Sequence, residues 1–167
     1  MVPLFRLGLA PFFSNPVTGY MMVMKTIGRK SGNRYYTPVN YAIHNGYIYC
    51  MSGGRRKSDW YKNLLASPEI EVILPGGAIF ARVEEVENSI EKQTVARIVL
   101  INAGFAGFFE GYNPHRISNE ELQEKTANIP MFRFTPIGIG NGASDPAGWA
   151  WVWMWILGII FIWMVVC

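Results

Sequence analysis

The sequence has few of the residues from which most catalytic centres are built. Cysteine occurs twice, as Cys50 and Cys167, and histidine twice, as His44 and His115. Two distant cysteines make neither a disulfide framework nor a four-thiolate zinc site, so a reducing compartment is the default. Two histidines without ligand spacing predict no metal centre. The motifs G-x-S-x-G, H-E-x-x-H and G-x-x-x-x-G-K-[ST] are absent, which excludes the common hydrolase, zinc-protease and P-loop machineries. No carboxylate pair stands out as an acid–base dyad. Glu84, Glu85 and Glu87 read as a solvated strand end, Cys50 as a core residue in mid-strand, and His44 as exposed beside a turn. No internal repeat and no nucleic-acid recognition helix is visible, so nucleic acid is not an expected partner.

Charge is thin as well, at 16% of the 167 residues, whereas 50% are apolar. That composition suits one domain with a real core and excludes a disordered or low-complexity chain. The net charge of +3 conceals an asymmetry. Residues 25–62 hold eight cations (Lys25, Arg29, Lys30, Arg34, Arg55, Arg56, Lys57 and Lys62) against one acid, Asp59. Residues 63–145 are net acidic. An anionic partner for the first third of the chain follows.

Charge vanishes over residues 147–167, where AGWAWVWMWILGIIFIWMVVC holds five of the six tryptophans. As a helix, residues 149–166 would extend about 27 Å, against a hydrocarbon core about 30 Å thick. The alternating Trp149, Trp151, Trp153 and Trp155 suit an interfacial belt. A C-terminal transmembrane tail anchor over 148–167 is therefore expected. The opening MVPLFRLGLAPFF is interrupted by Arg6, Pro3 and Pro11 and has no small-residue cleavage site. It reads as an amphipathic membrane-surface segment over 1–15 and not as a signal peptide.

The middle of the chain alternates strands and tight turns. Residues 20–26 and 35–43 are rich in β-formers, and Asn45-Gly46 is a strong hairpin signal. Residues 47–51 pair back. Residues 69–74 and 78–86 flank a Pro75-Gly76-Gly77 turn, and 129–135 form a last strand. Ser58 caps a helix over 59–66 that stops before Pro68. Asn88 or Ser89 opens a longer helix to about 101, and Ser118 to Glu121 form a capping box for a third. The Gly-rich stretch 137–147 reads as a linker. The fold class is mainly β (α+β): a small barrel of five or six antiparallel strands over 1–136, with peripheral helices.

Three constellations carry the chemistry. Thr26-Ile-Gly-Arg-Lys-Ser-Gly32, followed by Arg34, combines a glycine turn, two cations and a hydroxyl into an anion cradle. Ser52-Gly53-Gly54-Arg55-Arg56-Lys57-Ser58 lets a flat ligand approach the backbone and ends at a helix N-terminus. In Trp60-Tyr61-Lys62-Asn63-Leu64, Trp60 and Leu64 share a helix face. Asn63 is the residue that a purely structural role explains least.

With Pro38, Ala66, Pro68 and Ile129-Pro130, these motifs in this order resemble the deazaflavin (coenzyme F420)-dependent nitroreductase or quinone reductase family, over residues 15–136. The resemblance implies a split β-barrel of the flavin-reductase type and hydride transfer from reduced F420 to a quinone, nitroaromatic or similar enone. It implies that Arg29, Lys30 and Ser31, with Arg34, hold the cofactor's phosphate or tail. Tyr36, Thr37, Pro38 and Val39 would line the ring. Met51, Ser52, Gly53, Gly54 and Arg55, with Asp59, Trp60, Tyr61 and Asn63, would close the site. Tyr112, in Gly111-Tyr-Asn-Pro, matches a family tyrosine near the substrate. The chain departs from some relatives at Tyr35, where they carry an arginine, and in a 54–60 loop one residue shorter. The tail anchor is outside the common pattern. The cofactor carries hydride chemistry, which fits the lack of a catalytic dyad.

Partners implied are a small-molecule electron acceptor, menaquinone among the candidates, the membrane through the tail, and a second copy of the chain in a homodimer. The expected location is the cell membrane with the barrel in the cytoplasm. FMN or haem in the same groove is the alternative on the same barrel. A non-catalytic deazaflavin carrier is the alternative of a different class.

Overall fold

The computed structural model describes residues 2–7, 9–110, 113–142 and 150–166, without the side chains of 108–110, 150–152 and 166. Two short helices, α1 (Val2–Arg6) and α2 (Ala10–Phe13), precede strand β1 (Met21–Ile27). Then follow β2 (Arg34–Asn40), β3 (Ala42–His44), β4 (Tyr47–Met51), α3 (Asp59–Ala66), β5 (Glu69–Leu74) and β6 (Gly77–Glu85). The remaining elements are α4 (Ser89–Asn102), α5 (Asn119–Thr126), β7 (Met131–Ile139) and α6 (Ala150–Val166). Short 3-10 turns cover Arg55–Lys57 and Gly104–Glu110.

The strands form one antiparallel seven-stranded sheet in the order β2-β1-β5-β6-β7-β4-β3. Its two edges, β2 and β3, are joined by the single residue Tyr41. A chain that crosses from one edge to the other in one residue forces the sheet to curl until its edges meet. This is a half-barrel consistent with the expected split barrel. The stretch 35–43, read as one strand, is thus two strands on opposite edges. Asn45 and Gly46 both have positive φ, 50° and 81°, as a two-residue hairpin turn of this twist requires.

Inside the curl, Met22, Met24, Val72, Phe132 and Phe134 pack with Tyr61 and Leu64 of α3. Helix α4 buries Val95, Ala96 and Val99 against Ala42, Tyr49 and Met131. On the outer face, Phe5 and Ala10 cover Val23 and Ile73. The N-terminal segment, read as a membrane-surface helix, therefore breaks into two short helices whose apolar contacts are with the sheet.

Strand β7 runs to Ile139, because Gly138 and Ile139 pair with Phe80 and Ile79 of β6. The start of the expected 137–147 linker is thus strand, and its residues 143–147 lie outside the described residues. Helix α6 forms within the apolar tail but has 17 residues, about 26 Å of rise. Among the described residues no helix is long and apolar enough to cross a membrane, which corrects the expected transmembrane span. The side chains from Trp153 to Val165 are exposed.

Candidate functional site

Strand alternation decides which residues of β1 and β2 reach the interior. On β1, Met22 and Met24 enter the core and Thr26, next on that face, lines a cavity of about 390 Å³. On β2, Tyr35 and Thr37 line the same cavity and Val39 lines a second, of about 250 Å³. The intervening residues face away. Tyr36 packs on the outer cluster around Phe5, with the Arg6 guanidinium 5.7 Å from its ring centre. Pro38 is exposed. Of the four residues expected to line a ring, Thr37 and Val39 reach these two cavities and Tyr36 and Pro38 reach neither, since consecutive strand residues cannot share a face.

The turn between β1 and β2 forms one wall of the larger cavity. The Gly28 N–H donates to Asn33 O and the Gly32 N–H to Gly28 O, each at 2.8 Å, with Gly32 at φ +69°. A Cβ on Gly28 would stand 2.6 Å from Ser31 Oγ and from the Tyr35 ring, so a larger residue would displace these two side chains. Ser31 Oγ lies 3.1 Å from Tyr35 Oη. Arg29, Lys30 and Ser31 line this cavity together with Asp59, Trp60 and Asn63 of α3.

Asn63 joins turn and helix. Its Oδ1 accepts from the Arg29 backbone N–H at 3.2 Å and from Arg29 Nη1 at 3.1 Å. Asp59 Oδ1 accepts from Arg29 Nη1 and Nη2 at 3.1 and 3.2 Å. The guanidinium is thus fixed at the cavity from two sides, one of them the exposed carboxylate of Asp59.

Most of the described side chains that line the smaller cavity are apolar. Val39, Met51, Gly53 and Trp60 line it with Val99, Leu100 and Ala103 of α4 and its C-terminus. Among the described residues no charged side chain lines it. Asn40 is polar there, and its Nδ2 donates to Tyr20 O at 3.3 Å. Trp60 is common to both cavities, and its ring lies 5.9 Å from that of Phe132.

Other expected site residues lie elsewhere. Ser52 is buried, with its hydroxyl donating to Arg55 O at 2.9 Å. Ser58 Oγ donates to the same carbonyl and makes no cap to α3. These bonds hold Arg55 at φ 54°, a left-handed geometry that is strained for a residue with a Cβ. Neither Gly54 nor Arg55 lines either cavity. Arg56 pairs with Glu85 at 2.6 Å, and Tyr61 Oη donates to that carboxylate at 2.7 Å. Burial raises the Tyr61 pKa, with the Glu85 hydrogen bond adding to it. Tyr61 is therefore a core residue, and Glu85 is bonded within the fold instead of solvated.

Arg34 lines a third cavity of about 580 Å³ on the outer face, beside Lys25 and Glu71. Alternation places it opposite Tyr35. The cations of the 52–58 loop are consequently not gathered with Arg29 and Lys30. Tyr112 lies outside the described residues. The motif reading included Thr26 and Gly28 in the anion cradle without giving either a role of its own, and it passed over Tyr35 as a lining residue, although the alternation with Thr37 could have found it.

No curated protein sequence matches the chain. Among solved structures, an F420-H2 dependent reductase, FDR-A, is 25% identical over 68% of this chain and 92% of its own, at a TM-score of 0.45. A conserved hypothetical protein of Mycobacterium tuberculosis is 16% identical over 72% and 78% of the two chains, at a TM-score of 0.51. A protein of unknown function from Agrobacterium tumefaciens is 16% identical over 86% and 58%, at 0.52. The last two likenesses concern the fold. The family model described as F420H(2)-dependent quinone reductase matches residues 14–111, more than half of the chain, and the protein belongs to that family of F420-dependent oxidoreductases.

Proposed function

We propose that this protein passes a hydride from reduced F420 to an uncharged, planar acceptor of quinone or nitroaromatic type. The observation that carries this reading is the pair of cavities meeting at Trp60, one walled by Arg29 and Lys30, the other lined by no charged side chain among the described residues. The donor set fits the cofactor. An anionic tail needs cations and a glycine turn, and a flat ring needs apolar walls with backbone in reach.

Arg29, Lys30 and Ser31 would hold the tail, with Asn63 keeping Arg29 in place. Val39, Met51 and Gly53 would bound the ring and the acceptor. Trp60 would bound both regions. When bound, reduced F420 supplies the hydride, and this chain's residues orient the reactants and exclude water. A cavity whose described lining holds no charged side chain favours a neutral acceptor, because an unpaired charge is costly to desolvate. The apolar α6 is part of the same proposal. It would seat the barrel at a lipid surface on the cytoplasmic side, where quinones partition.

The test is anaerobic oxidation of reduced F420 by neutral quinones, nitroaromatics and carboxylated analogues of each. Neutral acceptors are expected to turn over and carboxylated ones to fail through KM. Equal use of both would refute the apolar acceptor site. A second arm places the quinone in vesicles and compares the full chain with residues 1–142. Equal rates there would refute the role of the tail.

A further inference from the structure

Thr26 is 1% exposed, and its Oγ1 has no hydrogen-bond partner among the described residues. A buried hydroxyl without a partner forfeits its solvation and destabilises the fold. Valine would fit a central strand at least as well. Thr26 is also a lining residue of the cavity walled by Arg29, Lys30, Trp60 and Asn63. On this face of β1 the residues before it, Met22 and Met24, are interior, and Gly28 beyond it opens the cationic turn. Thr26 thus stands where the apolar interior gives way to the anion cradle.

We infer that Thr26 is a ligand contact, whose Oγ1 donates a hydrogen bond to an oxygen of the cofactor between its ring and its anionic tail. This rests on the F420 reading above and adds a residue to it. The free protein carries an unsatisfied group that binding satisfies, so one substitution should move stability and affinity in opposite directions.

The experiment compares the full-length protein with Thr26→Val and Thr26→Ser by fluorescence titration with F420 and by thermal unfolding without ligand. Thr26→Val is expected to raise Kd by about five- to tenfold, the loss of one hydrogen bond. It should also raise the ligand-free Tm by roughly 2–4 °C. Thr26→Ser keeps the hydroxyl and should stay within about twofold of the wild-type Kd, well short of the valine effect. A purely structural threonine would behave otherwise, with Thr26→Val lowering Tm. Unchanged affinity in Thr26→Val, a fall in its ligand-free Tm, or a serine variant as weak as the valine variant would overturn the assignment. If wild-type protein bound no F420, the cofactor reading itself would fail and this inference with it.

Discussion

Asp59→Asn removes the acid that, among the described residues, touches the proposed tail-binding cations. Asp59 is exposed, its side chain at 84%, and an exposed ion pair stabilises by about 0–1 kcal/mol. The substitution should therefore leave the fold intact. Arg29 should also keep its place, because Asn63 still holds both its backbone N–H and Nη1. What changes is the field felt by a bound anion. A carboxylate about 5 Å away repels it by about 0.8 kcal/mol in water-like surroundings and about 3 kcal/mol at an effective dielectric near 20. The exposure of Asp59 puts the effect near the lower value. About 1 kcal/mol corresponds to roughly fivefold tighter binding of F420, shrinking as salt rises. Fluorescence titration at two ionic strengths reads both effects. Arg55→Ala is the control, since Arg55 lines neither cavity and its loss should leave Kd unchanged at moderate salt. Weaker binding in Asp59→Asn would show that the carboxylate orients Arg29 more than it competes with the ligand. A large loss in Arg55→Ala would show that the 52–58 loop reaches the tail after all.

Asn63→Ala should act in the opposite sense to Asp59→Asn. It removes two hydrogen bonds to Arg29, each contributing about 0.5–1.5 kcal/mol. It should lower both Tm and F420 affinity, and unchanged affinity at a lowered Tm would confine Asn63 to folding. A pH prediction concerns Tyr49, whose Oη donates to Glu91 at 2.8 Å. Burial, with that hydrogen bond, pushes its pKa from the ordinary 10 up to about 12. A phenol harder to ionise in the folded state contributes stability fully below pH 10, and that contribution is lost as pH rises from 10 towards 12. Denaturant titrations across this window should lose about 2–3 kcal/mol through Tyr49, and Tyr49→Phe should flatten the slope. An identical slope in the variant would contradict the assignment.

The sequence carried the local signals well. The Asn45-Gly46 turn, strand β4 and helix α3 fall where turn chemistry and propensity place them, because each is fixed by neighbours along the chain. Closure of the barrel is different. The break at Tyr41 exists because the sheet must bring its edges together, which no window around 35–43 contains. Residues 137–139 look like a linker by composition, yet pairing with β6 makes them strand. Ser58 has the identity of a helix cap, and the left-handed loop at Arg55 takes its hydroxyl instead.

In the site, the family motifs marked the segments that line it, and alternation then sorted their residues. Thr37 and Val39 go inward, whereas Tyr36 and Arg34 go outward. Thr26 shows the limit of motif reading, for its importance lies in a missing partner that only the packed structure reveals.

The central claim is met most directly by a single-turnover measurement under anaerobic conditions. Full-length protein is loaded with reduced F420, mixed with a neutral menaquinone analogue, and followed by absorbance of the cofactor. Reduced F420 should be oxidised in step with quinone reduction, with a rate that saturates in quinone. Saturable F420 binding with no oxidation by any neutral quinone or nitroaromatic would make the protein a carrier and contradict the proposed reaction.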